Sequence, residues 1–142
     1  GNAYKLALFS SDSASLSKST TVYTAPASAN AVPTNTLEVS QSQTDGGASN
    51  SGYTAGGAAL TPSADPVLSG DTACVKFNDV SFTSATFTAR GCLLYNSTAV
   101  TGFTTNRSVF AINFGSDKTV TSGTFTVQFP AQTAGNAIIQ IA

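Results

Sequence analysis

Apolar and polar residues alternate with a period of two in several separate runs of this chain. The densest lies between Ala73 and Tyr95, ACVKFNDVSFTSATFTARGCLLY. Val75 and Phe77 alternate there with Lys76 and Asn78, and Val80 and Phe82 with Ser81 and Thr83. Ala85, Phe87 and Ala89 then alternate with Thr86, Thr88 and Arg90. A period of two puts one set of side chains on a buried face and the other towards solvent, as in a β-strand. A helix would need apolar residues three and four apart, and the Thr and Phe content disfavours it. Gly91-Cys92-Leu93-Leu94-Tyr95 is apolar on both faces, the pattern of a strand covered on both sides. This stretch is expected to supply the central strands of an all-β core.

Other runs extend the pattern. Tyr4 to Phe9 predicts a first strand with Tyr4, Leu6 and Leu8 on one face, Thr21 to Thr24 a short one, and Thr36 to Ser40 another around Glu38. Tyr53 to Leu60 carries Gly56-Gly57 at its centre, which suggests a bulge or the close approach of another backbone. Thr61 to Thr72, with Pro62 and Pro66, reads as a loop. Arg107 to Phe114 is strongly apolar, with Phe110, Ile112 and Phe114 on one side. Gly115 to Lys118 reads as a turn, Thr124 to Phe129 as a further strand, and Ala137 to Ile141 as a strand that docks on the sheet. The expectation is one domain over residues 1–142, a single antiparallel β-sandwich of about eight to ten short strands. Phe77, Phe82, Phe87, Leu94, Phe110, Ile112, Phe125 and Val127 are its expected core.

Composition narrows what such a domain does. Charged residues make up 9% of the 142 positions, the net charge is −1, and Ser and Thr supply 40 positions. A neutral, hydroxyl-rich surface suits contact with another protein, since few ions need desolvating. The basic residues Lys5, Lys18, Lys76, Arg90, Arg107 and Lys118 are scattered, whereas nucleic-acid binding needs clustered positive charge; no nucleic-acid partner is expected. No apolar run is long enough for a membrane span. The start, GNAYKLALFSS, lacks the charged and apolar regions of a signal peptide, and Lys5 stands where a myristoylation signal wants Ser or Thr.

Candidate chemistry is sparse. The chain has no His and one Glu, Glu38, which removes the usual general base and the commonest metal ligand. Asp12, Asp45, Asp65, Asp71, Asp79 and Asp117 each sit beside turn-forming residues, where a short carboxylate caps local backbone. A Ca²⁺ loop would need closely spaced acids, and none occurs. No enzyme, cofactor or metal is therefore expected. Cys74 and Cys92 either face each other across a hairpin or are two small buried hydrophobes. Asn96-Ser97-Thr98 and Asn106-Arg107-Ser108 match the glycosylation triplet, which arises by chance in so hydroxyl-rich a chain. Tyr4, Tyr23, Tyr53 and Phe103 are candidates for sugar stacking if the domain is a carbohydrate-binding β-sandwich. The biased segment Gln41 to Gly52, QSQTDGGASNSG, reads either as a flexible hairpin tip or as an exposed binding loop.

Four stretches carry a resemblance: YKLALFSSDSASLSKSTTVYT at the start, GYTAGGAAL from Gly52 to Leu60, FNDVSFTSATFTARGCLLYN from Phe77 to Asn96, and the run from Asn106 to the end. In them the chain resembles a group of small tailed-bacteriophage virion proteins, against which Gln41 to Ser51 looks like an insertion. Such proteins are similar in size and composition to capsid cement or decoration proteins, some of them jelly-roll-like. The resemblance implies a non-enzymatic virion protein, assembled in the host cytoplasm, that binds the outer capsid surface. Its implied partners are the major capsid protein and other copies of itself, as a homodimer or higher symmetric assembly. A tail or fibre component is the alternative. Because strands are committed to the core, contacts are expected from loops, at Ser10, Asp12, Ser15, Lys18, Pro26, Asn30, Pro33, Gln43, Asp45 and Asn50.

Overall fold

The structure is a computed structural model that describes residues 1–10, 16, 20–23, 38–39, 52–63 and 65–141. Among these the chain is all-β, without a helix. Its strands are β1 (Tyr4–Phe9), β2 (Ala58–Leu60), β3 (Val67–Ser69), β4 (Thr72–Val75), β5 (Val80–Asn96), β6 (Arg107–Val127) and β7 (Ile139–Ile141). They form two antiparallel sheets, in the orders β2-β1-β5-β6 and β3-β4-β7. The chain divides into two compact units, residues 1–59 with 82–125 and residues 60–81 with 126–142. β5 and β6 each contribute residues to both.

In the first unit β1 and β5 are the centre of the sheet. They pair antiparallel, with Leu6 opposite Leu94, Ala7 opposite Leu93 and Leu8 opposite Cys92. Leu6, Ala7, Leu8, Cys92 and Leu94 are all 0% exposed, so the end of β5 is covered on both faces, as its unbroken apolar run implies. One face gathers Ala7, Phe9, Tyr23, Leu93 and Tyr95, with Leu16 packed against them. The pair Gly56-Gly57 lies in a turn before β2 rather than at the centre of a strand. A Cβ on Gly57, whose φ is +74°, would overlap the Leu6 carbonyl. Close approach of another backbone is thus the reason for the glycine.

Two irregularities shape the long strands. In β5 the buried positions run Val80, Phe82 and then Ala85, Phe87, Ala89. The phase slips by one residue at Ser84, whose φ is 51°, the mark of a β-bulge. In β6, Gly91 of β5 lies against Ile112, while Arg90, one residue earlier, bonds Asp117 at 3.4 Å. Residues Asn113 to Ser116 are therefore extra on the β6 side. Gly115 has φ 78°, and its N–H donates to the Asn113 side chain at 2.8 Å. The turn expected from Gly115 to Lys118 is instead an outward excursion of one continuous strand, and Asp117 and Lys118 belong to the ladder that follows.

Phe77, Phe82, Phe87, Leu94 and Val127 are buried as expected. Phe110, Ile112 and Phe125 are only half-buried, because β6 is the end strand of its sheet and has a strand neighbour on one side. Phe87 is the junction of the aromatic packing, with Tyr53 at 6.0 Å, Phe82 at 6.1 Å and Phe125 at 5.1 Å between ring centres.

The second unit corrects the loop expected from Thr61 to Thr72. Val67–Ser69 and Thr72–Val75 form a hairpin with Ser69 opposite Thr72. Gly70 opens the two-residue turn at φ 62°, as glycine does at the first position of such turns. β7 docks on β4 with Ala73 opposite Ile141 and Val75 opposite Ile139, as expected of the C-terminal strand. Phe77 packs on Phe129 at 5.9 Å. Polar side chains supplement this small core: the Asp79 carboxylate accepts the Phe129 N–H at 2.9 Å, and the Gln132 amide donates to the Cys74 carbonyl at 3.0 Å.

These burial differences set an expected outcome. Phe87→Ala should lower stability by about 3–5 kcal/mol, as for a fully buried aromatic. Phe125→Ala should lower it by roughly half as much, since its ring is partly solvated already. Urea midpoints of the two variants check the order; equal losses would contradict the packing described.

Candidate functional site

Of the loop residues expected to contact a partner, Ser10 is described and lies half-exposed just after β1. Asp12, Ser15, Lys18, Pro26, Asn30, Pro33, Gln43, Asp45 and Asn50 lie outside the described residues, as does most of the Gln41 to Gly52 segment. The stacking candidates separate clearly. Tyr23 and Tyr53 are 5% and 2% exposed and so unavailable to a ligand, whereas Phe103 is 63% exposed. Tyr4 is half-buried.

The structure gathers polar chemistry around Glu38, which sequence reasoning passed over. The carboxylate is 1% exposed and accepts three hydrogen bonds: from the Tyr23 hydroxyl at 2.8 Å, the Tyr53 hydroxyl at 2.6 Å and the Gly56 N–H at 2.7 Å. Tyr53 in turn accepts the Leu8 N–H at 3.0 Å. The Tyr95 hydroxyl donates to the Gly56 carbonyl at 2.7 Å, and its ring stacks on Tyr23 at 4.4 Å, 8° from parallel. Glu38 makes a bridge with Phe9, and the Val39 N–H bonds the Leu8 carbonyl at 2.8 Å. A closed circuit thereby joins β1, β5, the turn at Gly56 and the short segments holding Tyr23 and Glu38.

Burial raises the Glu38 carboxyl above its ordinary range, outweighing the three donors that pull it down. Burial, then the Glu38 charge, raise the Tyr53 and Tyr23 phenols and push Tyr95 up to about 12. The Lys5 ammonium is the nearby cation, 4.0 Å from where a Cβ on Gly56 would sit. Arg90–Asp117 is the one ion pair among the described residues. The Glu38 lone pairs are engaged by donors that hold the backbone, so the cluster is suited to positioning chain segments rather than to proton transfer with a solute.

The remaining acids and thiols are dispersed. Asp117 of β6 pairs with Arg90 of β5, and Asp79 holds a backbone group distant in sequence, so neither is the local turn cap expected. Asp65 and Asp71 do lie in a bend and a turn. Cys92 stands opposite Leu8, and Cys74 opposite Val67 and Gln140. The two do not face each other across a hairpin; both are free and buried. Burial pushes the Cys92 thiol up to about 12. Among the described residues no three His, Cys, Asp or Glu side chains converge.

The pH dependence of stability follows from Glu38. Its folded pKa lies above the ordinary 4.5, so the folded state holds the proton more tightly than the unfolded chain. Stability from this group is therefore greatest below pH 4.5 and falls as pH rises through the raised folded value. Glu38→Gln, which keeps an acceptor but cannot ionise, should flatten the decline in melting temperature between acid and neutral pH. Glu38→Ala leaves buried donors without an acceptor and should lose about 3 kcal/mol or more. Superimposable pH profiles for wild type and Glu38→Gln would contradict the assignment.

Comparison with protein-family models, with characterised proteins and with solved structures finds no match to this chain.

Proposed function

We propose that this chain is a non-enzymatic virion structural protein, a cement or decoration protein that binds the outer surface of a tailed-phage capsid. We read the all-β chain as a member of the jelly-roll-like class. The observation that carries the reading is an apolar row in the second unit. Leu68, Ala73 and Ile141 are in register across β3, β4 and β7, and a direct cross-strand register puts them on one sheet face. Leu68 is 74% exposed and Ile141 68%. Apolar side chains grouped on a solvated sheet face mark protein contact sites.

Two further features support it. Exposed hydroxyls pair with one another across strands, Ser81 with Thr126 and Thr88 with Thr119, each at 2.9 Å. Such a surface is neutral and needs little desolvation on docking. The resemblance in the β-strand runs points to the same class. In this reading the partner is the major capsid protein, other copies of the chain share the lattice, and weak contacts gain strength by repetition.

Co-sedimentation of the protein with purified tailless heads checks this. Binding should saturate at a copy number comparable to that of the major capsid protein. Raising salt from about 0.1 to 1 M, which shortens the screening length from about 10 to 3 Å, should release little of it. Leu68→Asp combined with Ile141→Asp should weaken attachment at least about tenfold, with an unchanged melting temperature. Attachment to tails alone would replace the cement reading with the tail one.

A further inference from the structure

We propose a second binding activity in the first unit: a groove beside the start of β6 that takes an acidic oligosaccharide. The groove has a volume of about 750 Å³, within the range of sites that hold small ligands. β6 from Arg107 to Asn113 forms one side, and Leu16, Thr20 and Thr21 contribute to the lining. Seven consecutive strand residues span roughly 20 Å. The groove is thus elongated, suited to a chain of rings rather than to a single one.

Its chemistry selects the ligand. The Arg107 guanidinium lies 5.1 Å over the centre of the Phe103 ring and has no carboxylate partner among the described residues. Stacking holds the planar fork in place, and that fork matches a carboxylate bidentately. Arg90 also lines the groove, but the Asp117 carboxylate at 3.4 Å answers its charge, so the groove's unanswered charge is that of Arg107. Ser108 lines the groove too, and its Oγ is shielded from water without a partner among the described residues. Thr21 adds an exposed hydroxyl to the same lining. Val109, which shares the strand face of Arg107 and is 41% exposed, supplies apolar surface for the C–H faces of sugar rings. Positive charge, hydroxyl partners and apolar floor together describe a uronic-acid chain.

An extended acidic peptide adding to the edge of β6 would exploit the same charge, but the backbone there is already engaged. Val22 bridges Arg107, the Ser108 N–H bonds the Thr21 carbonyl at 2.9 Å, and the Tyr23 N–H bonds the Asn106 carbonyl at 2.8 Å. With these ladder groups taken from Asn106 to Ser108, recognition beside Arg107 falls to side chains, which favours the saccharide.

Isothermal titration with trigalacturonate, with maltotriose as the neutral control and hexaglutamate as the acidic peptide, tests the assignment on the intact chain. Trigalacturonate should bind saturably, and maltotriose at least tenfold more weakly. Arg107→Gln should weaken trigalacturonate at least tenfold, and Arg107→Lys, which keeps charge but loses the fork, by an intermediate factor. Lys118→Gln, outside the groove, should leave binding unchanged. Melting curves establish that each variant is folded; should Arg107→Gln fail to fold, Arg107→Lys carries the comparison. Absence of trigalacturonate binding at millimolar concentration, equal binding of hexaglutamate, or unchanged binding in a folded Arg107 variant would overturn the proposal. Capsid attachment is measured separately, so either activity can fail alone.

Discussion

A carboxylate withdrawn from water, with no counter-ion at bonding distance among the described residues, is the constraint around which the first unit is built. Glu38 carries the one glutamate charge of the chain, and the described residues that bond it are two phenols and a backbone N–H rather than a cation. Hydrogen bonds to an ionised acceptor are stronger than neutral ones, but only donors held at the right place deliver them. The cluster therefore fixes geometry more than it adds energy. Tyr53 donates to Glu38 while accepting the Leu8 N–H, and Gly56 donates to Glu38 while its carbonyl accepts the Tyr95 hydroxyl. Displacing any one segment leaves a buried polar group without its partner, so the segments are held together as a set.

The tight turn at Gly56-Gly57 follows from the same demand. For the Gly56 amide to face the carboxylate, the chain must pass against β1 closely enough that Gly57 meets the Leu6 carbonyl. A side chain would hold the two backbones apart and withdraw a donor from Glu38. A backbone contact and an electrostatic one are thus coupled through adjacent glycines.

The sequence shows what depends on alternation and hides what depends on distance. β1, the body of β5 and the docking of β7 were readable because each has an apolar pattern of its own. The bulge at Ser84 was present too, as the break between the runs ending at Phe82 and beginning at Ala85. The continuity of β6 was not readable: Gly115-Ser116-Asp117-Lys118 has the composition of a turn, and it takes the cross-strand pairs Arg90–Asp117 and Thr88–Thr119 to show that the ladder resumes there. Phe110, Ile112 and Phe125 were placed in the core because periodicity marks the more buried face of a strand but not how many neighbours cover it. Glu38 was missed for a related reason. Between Leu37 and Val39 it has the parity of a solvent-facing residue, and the tyrosines that receive it are scattered from position 23 to position 95.

Charge and contact are divided in this molecule. The carboxylate of Glu38 is sealed behind tyrosines, and Asp117 is matched with Arg90 in a cross-strand contact. What remains outward on the described strands is largely hydroxyl, with apolar side chains on the small sheet. A surface of that kind discriminates by shape and area, since it offers few ions whose desolvation would penalise a wrong partner. Arg107 departs from the rule. It is held flat by an exposed aromatic ring beside a groove, and its charge is not answered by any described carboxylate. The apolar row and the arginine groove follow different physical principles, burial of area in one and charge with hydrogen-bond geometry in the other. As proposed, one surface holds the protein against a large partner by area, and the other recognises a small anionic one by charge and geometry.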